Sequence, residues 1–249
     1  MNRFVDLNCD MGEGVGNELE LMPFISSANI ACGFHAGDKA LMEQTARHCI
    51  QYEVAIGAHP SFPDRENFGR TPMKLSPDAL AEIITEQVST MSEICSRLGV
   101  RLNHVKPHGA LYNMAATDPE LAEIIVTEIK KFDSSLILYG LSGSKMADAA
   151  LKSGLSFFNE VFADRTYRKD GTLTPRSHSD ALILSPEPAA DQAFRLAAGL
   201  PISAEGSLLH LKADTICIHG DGPDAVGFAS AIQSRFRKEG IHIGYERKK

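Results

Sequence analysis

Seven short apolar runs, most of them separated by helical periods and six of them ending in a polar signature, constrain this chain more than any other feature. The candidate strands are Phe4 to Asn8, Ala28 to Cys32, Val54 to Ala58, Leu102 to Lys106, Leu136 to Tyr139, Leu155 to Asn159 and Thr215 to His219. Strands that alternate with helices build parallel β/α units. A parallel arrangement delivers the carboxyl ends of all its strands to one face, so the polar signatures converge there. Seven strands of this kind suggest a barrel with a polar mouth.

The helical stretches have the spacing of crossover connections. The clearest begins at Ser76-Pro77 and stops at Gly99, with Leu80, Ile83, Ile84, Val88, Met91, Ile94 and Leu98 recurring along one face. Others are read from Asp38 to Gln51, Pro119 to Lys131, Ser144 to Ser153, Pro188 to Gly199 and Asp224 to Glu239. Two stretches break the rhythm, Pro60 to Pro72 and Ala163 to Pro175; each carries Arg and Asp and could lie over the mouth or form a plain surface turn. No internal repeat or linker interrupts the chain, so residues 1–249 are read as one domain.

A formal net charge of −7 with scattered Lys and Arg argues against a nucleic-acid partner. No apolar run reaches the ~20 residues needed to span a bilayer, so no membrane role is expected. The odd count of 5 cysteines does not fit a complete disulfide framework, and the first residues lack the apolar core of a signal peptide; a cytoplasmic setting is expected. Cys9, Cys32 and Cys217 read mainly as small buried thiols.

His35, His59, His108 and His219 each fall near a strand end, alongside Asp6, Asp10, Asp38, Asp64, Glu160 and Asp221. Two chemistries stay open for such a mouth. Asp6, His35 and His59 could hold a divalent metal that activates water. Alternatively Asp and His handle protons while Lys106 and arginines neutralise developing charge. An inward lysine is costly without a partner, so Lys106 must meet a carboxylate such as Glu160 or an anionic substrate. Arg70, Arg165 and Arg176 sit in or beside the two long loops and could grip a carboxylate. There is no phosphate loop; Gly140-Leu-Ser-Gly143-Ser-Lys145 has the wrong spacing, and Met11-Gly-Glu-Gly-Val-Gly16 is equally weak as a nucleotide motif.

The ordered set Asp6-Leu-Asn-Cys-Asp10-Met-Gly-Glu13, Asn29-Ile-Ala-Cys-Gly-Phe-His35-Ala-Gly-Asp38, Gly57-Ala-His59-Pro, Val105-Lys-Pro-His108-Gly-Ala-Leu-Tyr112, Phe162-Ala-Asp-Arg165 and Cys217-Ile-His219-Gly-Asp221 resembles the LamB/YcsF family from Asp6 to about Ile241. The resemblance implies a distorted seven-stranded β/α barrel, TIM-like and similar to those of glycoside hydrolases and carbohydrate deacetylases. It implies an ATP-dependent 5-oxoprolinase activity shared with B and C subunits, in which ATP (with Mg²⁺), 5-oxo-L-proline and water give ADP, phosphate and L-glutamate. The family's polar positions fall on Asp6, Asp10, Glu13, His35, Asp38, His59, Asp64, Lys106, His108, Glu160, Asp164, Arg165, Arg176, His219 and Asp221.

On this reading Asp10 with His35 or His59 moves protons, Lys106 and Glu160 complete the catalytic set, and Arg70 or Arg176 holds the substrate carboxylate. Asp6, His108, His219 and Asp221 are further substrate contacts. Thr71 stands where the family usually has a second arginine, which removes a two-arginine grip from that loop. The alternatives are a stand-alone metal-dependent deacetylase, which would hold a divalent metal tightly, and a non-catalytic substrate-binding subunit. Assembly into a homo-oligomer stays open.

Overall fold

A computed structural model describes residues 3–220, 222 and 224–244. Strand β1 (Arg3–Met11) is followed by β2 (Ser27–Ala31), β3 (Ala55–His59), β4 (His104–Val105), β5 (Ile137–Leu141) and β6 (Ser156–Phe162). After an excursion that carries the antiparallel hairpin β7 (Ile202–Ala204) and β8 (Ser207–Leu209), strand β9 (Thr215–Ile218) pairs with both β6 and β1 and closes the ring. All pairings around the ring are parallel, which confirms the seven-stranded β/α barrel. β10 (Ile241–Ile243) adds to the amino-terminal end of β1, outside the ring.

The helices are α1 (Glu18–Leu21), α2 (Lys39–Gln51), α3 (Pro77–Arg97), α4 (Gly109–Thr117), α5 (Pro119–Phe132), α6 (Lys145–Ser153), α7 (Pro186–Ala197) and α8 (Ala225–Glu239). Their starts follow local chemistry. The side chains of Asp38, Ser76, Asp118 and Ser144 accept hydrogen bonds from backbone amides in the first turns of α2, α3, α5 and α6. On α3 the buried residues Leu80, Ile84, Val88, Met91 and Ile94 mark the face laid against the barrel. The sequence reading does not include α4, α1, β10 or the β7–β8 hairpin. Among the described residues no helix is long and apolar enough to cross a membrane.

The period of two along each strand sorts the side chains. On β1, Val5, Leu7, Cys9 and Met11 are buried in the apolar cluster, and the alternate residues Asp6, Asn8 and Asp10 enter the barrel. The interior is therefore polar, unlike the layered aliphatic filling common in such barrels. A continuous chain of hydrogen bonds runs along it. Asn29 Nδ2 donates to Asp10 Oδ1 at 2.9 Å and to Asn8 Oδ1 at 2.8 Å. Asn8 Nδ2 donates to Thr215 Oγ1 at 2.7 Å, and Thr215 donates to Asp6 Oδ2 at 2.6 Å. Gly57 makes room for the His104 ring, which would collide with any Cβ there; His104 Nε2 then reaches Asn29 Oδ1 at 2.8 Å.

Candidate active site

At the carboxyl ends of the strands a cavity of about 540 Å³ opens, with Asp10, His59, Lys106 and His108 in its lining and Arg70, Arg165, Arg168 and Arg176 contributed by the two long loops. Lys106 is buried beneath it, with Nζ 2.9 Å from Asp10 Oδ1 and 2.8 Å from Glu160 Oε1. The same ammonium lies 3.2 Å from Cys217 Sγ. Burial disfavours its charge, but Asp10, Cys217 and Glu160 outweigh that and hold the lysine well above its ordinary pKa. Burial likewise pushes the Asp10 carboxyl upward, yet His59 and Lys106 overcome it and keep Asp10 well below the usual carboxylate range. The result is a buried ammonium held in place against an ionised carboxylate at the floor of the cavity.

Beside Asp10 stand three imidazoles. His59 Nε2 is 3.4 Å from Asp10 Oδ2 and 2.9 Å from His108 Nδ1, and the His108 ring stacks on His35 with centroids 3.8 Å apart. Glu13 lies 3.4 Å from His35 Nε2 and 3.8 Å from His108 Nδ1. Glu13, His35, His59 and His108 place one ligand atom each within 4.8 Å of one another, a cluster suited to a metal ion. Gly69 packs against two of these rings, where a Cβ would stand 2.9 Å from His35 Cβ and 3.0 Å from His108 Cδ2.

A second trio, Asp10, Cys217 and His219, is equally close, but Lys106 already brings a cation to its Asp10 and Cys217. His219 Nδ1 meets the Asp164 carboxylate at 2.8 Å. Burial would raise Asp164, but His219, Arg176 and Arg165 outweigh it and lower its pKa. The carboxylate therefore fixes the tautomer of His219 and turns Nε2 to other partners.

Arg165 is buried, its guanidinium donating to the carbonyls of Thr174 and Ala181 at 2.6 and 3.3 Å. Burial and the neighbouring Arg176 depress its pKa, so positive charge is concentrated on this wall. Gln192 on α7 ties the loop down, donating to the carbonyls of Phe162, Ala163 and Arg165.

The structure brings Asp10, His59, Lys106, His108, His219, Arg70 and Arg176 to one cavity, and it corrects other expectations. Asp6 lies toward the opposite end of the barrel, its oxygens taken by the hydroxyls of Ser26, Ser27 and Thr215, so it neither faces the cavity nor joins His35 and His59 around a metal. Burial raises its pKa. Glu160 is fully buried one layer below; it meets the cavity through Lys106 and through Tyr112, which lines the cavity and whose hydroxyl lies beside the Glu160 carboxyl.

His35 is walled off behind His108 and does not line the cavity. Asp38 caps α2, and Asp64 organises its own loop by accepting from Asn67 Nδ2 and the Thr71 amide. Asp221 falls outside the described residues. The sequence reading carries over Glu13 and Asp164 as polar positions without a role; each sits two residues beyond a strand end, the same signal that marks the histidines.

Comparison with known proteins agrees with this fold. The chain is 47% identical over 249 residues, 98% of its length and 99% of the relative's, to a protein of Bordetella pertussis (strain Tohama I) whose name makes it the A subunit of 5-oxoprolinase. The crystal structure of the lactam utilization protein from Thermus thermophilus superposes with a TM-score of 0.90 at 39% identity, covering 96% of this chain and 98% of that one. A family 4 carbohydrate esterase from Streptomyces lividans shares the fold alone, with a TM-score of 0.52 at 13% identity over 98% of this chain and 93% of that one. The profile of the LamB/YcsF family matches residues 5–248, and with relatives this similar over nearly their whole length the chain belongs to that family.

Proposed function

We propose that this chain is the A subunit of an ATP-dependent 5-oxoprolinase, opening the lactam of 5-oxo-L-proline to L-glutamate together with B and C subunits while ATP is cleaved to ADP and phosphate. The observation that carries this reading is the buried ammonium of Lys106, held by Asp10 and Glu160 beneath an arginine-rimmed cavity. A small anionic ring needs both parts. Guanidinium groups, Arg70 or Arg176, hold its carboxylate, and a fixed positive charge meets the oxygen that gains charge when the amide is attacked.

His219 takes a proton from the attacking water, because Asp164 occupies Nδ1 and leaves Nε2 to accept. Asp10, kept ionised, holds Lys106 in place and steadies the imidazolium that His219 becomes. The proton role expected of His35 or His59 thus passes to His219. Lactam opening is uphill, and ATP, used with Mg²⁺, drives it: phosphorylation of the lactam oxygen makes the ring carbon more electrophilic, water adds there, the C–N bond breaks as the amine takes a proton, and hydrolysis of the resulting acyl phosphate releases phosphate and the side-chain carboxylate. ATP enters through the reaction of the family. The Gly140–Lys145 turn acts as a plain strand-to-helix turn, with Ser144 capping α6 and Lys145 paired with Asp148.

The test is glutamate formation from 5-oxoproline, ATP and Mg²⁺ by the chain with its B and C subunits. Activity only in the complete mixture, lowered about 100-fold or more by His219→Asn, supports the reading. No glutamate with partners that are active alongside an A subunit of another source would sink it, and wild-type turnover in folded His219→Asn would remove His219 from its role. The clustered imidazoles favour a second reading, a metal-dependent deacetylase that needs neither ATP nor partners; acetate release from acetylated sugars by the chain alone would establish it.

A further inference from the structure

The three imidazoles beside Asp10 direct their ring N–H groups away from their common centre. His59 Nδ1 lies 2.6 Å from the Lys106 carbonyl, and a carbonyl only accepts, so the proton is on Nδ1. His108 Nε2 faces the Phe68 carbonyl at 2.9 Å for the same reason. His35 Nδ1 is 2.9 Å from Ser61 Oγ, and that hydroxyl gives its own proton to the Phe62 carbonyl at 3.0 Å, so it accepts from His35. Neutral rings of these tautomers turn three lone pairs inward, from His35 Nε2, His59 Nε2 and His108 Nδ1. Glu13 Oε1 faces the same centre, 3.4 Å from His35 Nε2 and 3.8 Å from His108 Nδ1.

The 2.9 Å contact between His59 Nε2 and His108 Nδ1 needs either a further proton on one of those rings or a metal cation between them. We propose that Glu13, His35, His59 and His108 form the binding site of one divalent transition-metal ion. Three imidazole nitrogens and a carboxylate oxygen suit zinc and its neighbours better than magnesium or calcium, which favour oxygen.

The surroundings have the second layer that such sites need, since each ring's outer N–H is held by a fixed acceptor. Ser61 is itself fixed. Buried Gln87 on α3 accepts from the Ser61 amide at 3.0 Å and donates to its carbonyl at 2.9 Å. Glu13, His59 and His108 line the cavity, so an ion there meets whatever the cavity holds. His35 and His108 are parallel to within 3°, and lone pairs in parallel planes do not meet, so ligation by both tilts one ring out of the stack. The inference does not rest on the 5-oxoproline reading, since an ion at this wall serves either hydrolase.

The test is metal content and Co²⁺ binding by the full chain, stripped with chelator and titrated, and read by elemental analysis and visible d–d absorption. One equivalent per chain is expected, and His59→Asn with His108→Asn weakens binding by ~100-fold or more. Ser61→Ala keeps all four ligands yet frees His35 Nδ1, and weakens binding about tenfold; it keeps the test alive if the double variant fails to fold. A crystal structure with Zn²⁺ shows the His35 and His108 rings no longer parallel. No Co²⁺ bound at micromolar free ion overturns the proposal, as does unchanged binding in a folded double variant. A proton retained between His59 and His108 in excess Zn²⁺, seen by ¹⁵N NMR, overturns it too. Glutamate formation enters none of these readouts, so failure here leaves the 5-oxoprolinase reading standing, and the reverse.

Discussion

Lys106 shows how one residue can be both costly and necessary. Removing it leaves Asp10 and Glu160 as buried carboxylates without their shared ammonium, so Lys106→Ala confounds catalysis with a loss of about 3–5 kcal/mol in stability. The His219–Asp164 pair gives a cleaner measurement. Because the folded state holds Asp164 below its unfolded pKa, this carboxylate adds stability that is fully present above about pH 4 and is lost as pH falls through the lower folded value. Asp164→Asn is expected to cost roughly 1–3 kcal/mol at pH 6, with the gap to wild type closing below pH 4. Urea unfolding at several pH values checks this, and a gap independent of pH would refute it. At this scale much was legible: the strand-end histidines and Lys106 stand out because polar groups there have few bland explanations. Asp6 misled because the run Asp6-Leu-Asn-Cys-Asp10 puts two carboxylates on the same inward face, and linear sequence does not say which lies at the mouth.

At the level of elements, helix caps and strand glycines separate structural residues from chemical ones. Asp38 is exposed and accepts from the Leu41 amide, so Asp38→Ala should cost about 1 kcal/mol while leaving kcat within about twofold. A large fall in kcat with stability intact would return Asp38 to the site. Gly57→Ala drives a methyl into the His104 ring, disturbing its bond to Asn29 and its stack on Tyr139. A loss of about 3 kcal/mol in thermal or urea unfolding is expected, and an unchanged midpoint would show that His104 moves aside at no cost. The long strands and α3 were readable because periodicity and caps agree over many residues. Helix α4 was not, since Gly109 opens it, His108 offers no side-chain cap, and the same residues read as a site signature. The β7–β8 strands have three residues each, too few for a period of two to register.

For the molecule as a whole, the ring depends on β9, which meets β1 from the far end of the chain. Thr215 links the two through its hydroxyl, accepting from Asn8 and donating to Asp6. Thr215→Val leaves Asp6 Oδ2 and one hydrogen of the Asn8 amide without this partner and should lower stability by about 2–4 kcal/mol; a stability within about 0.5 kcal/mol of wild type, by calorimetry, would contradict that role. The polar lumen also bears on how the chain survives its own synthesis. Until residue 218 has left the ribosome, β1 to β6 cannot be sealed, and the sheet presents two open edges and one bare face. That face carries Asp6, Asn8, Asp10, Lys106 and Glu160, so a half-made barrel shows water a charged, wettable surface in place of an aggregation-prone aliphatic one.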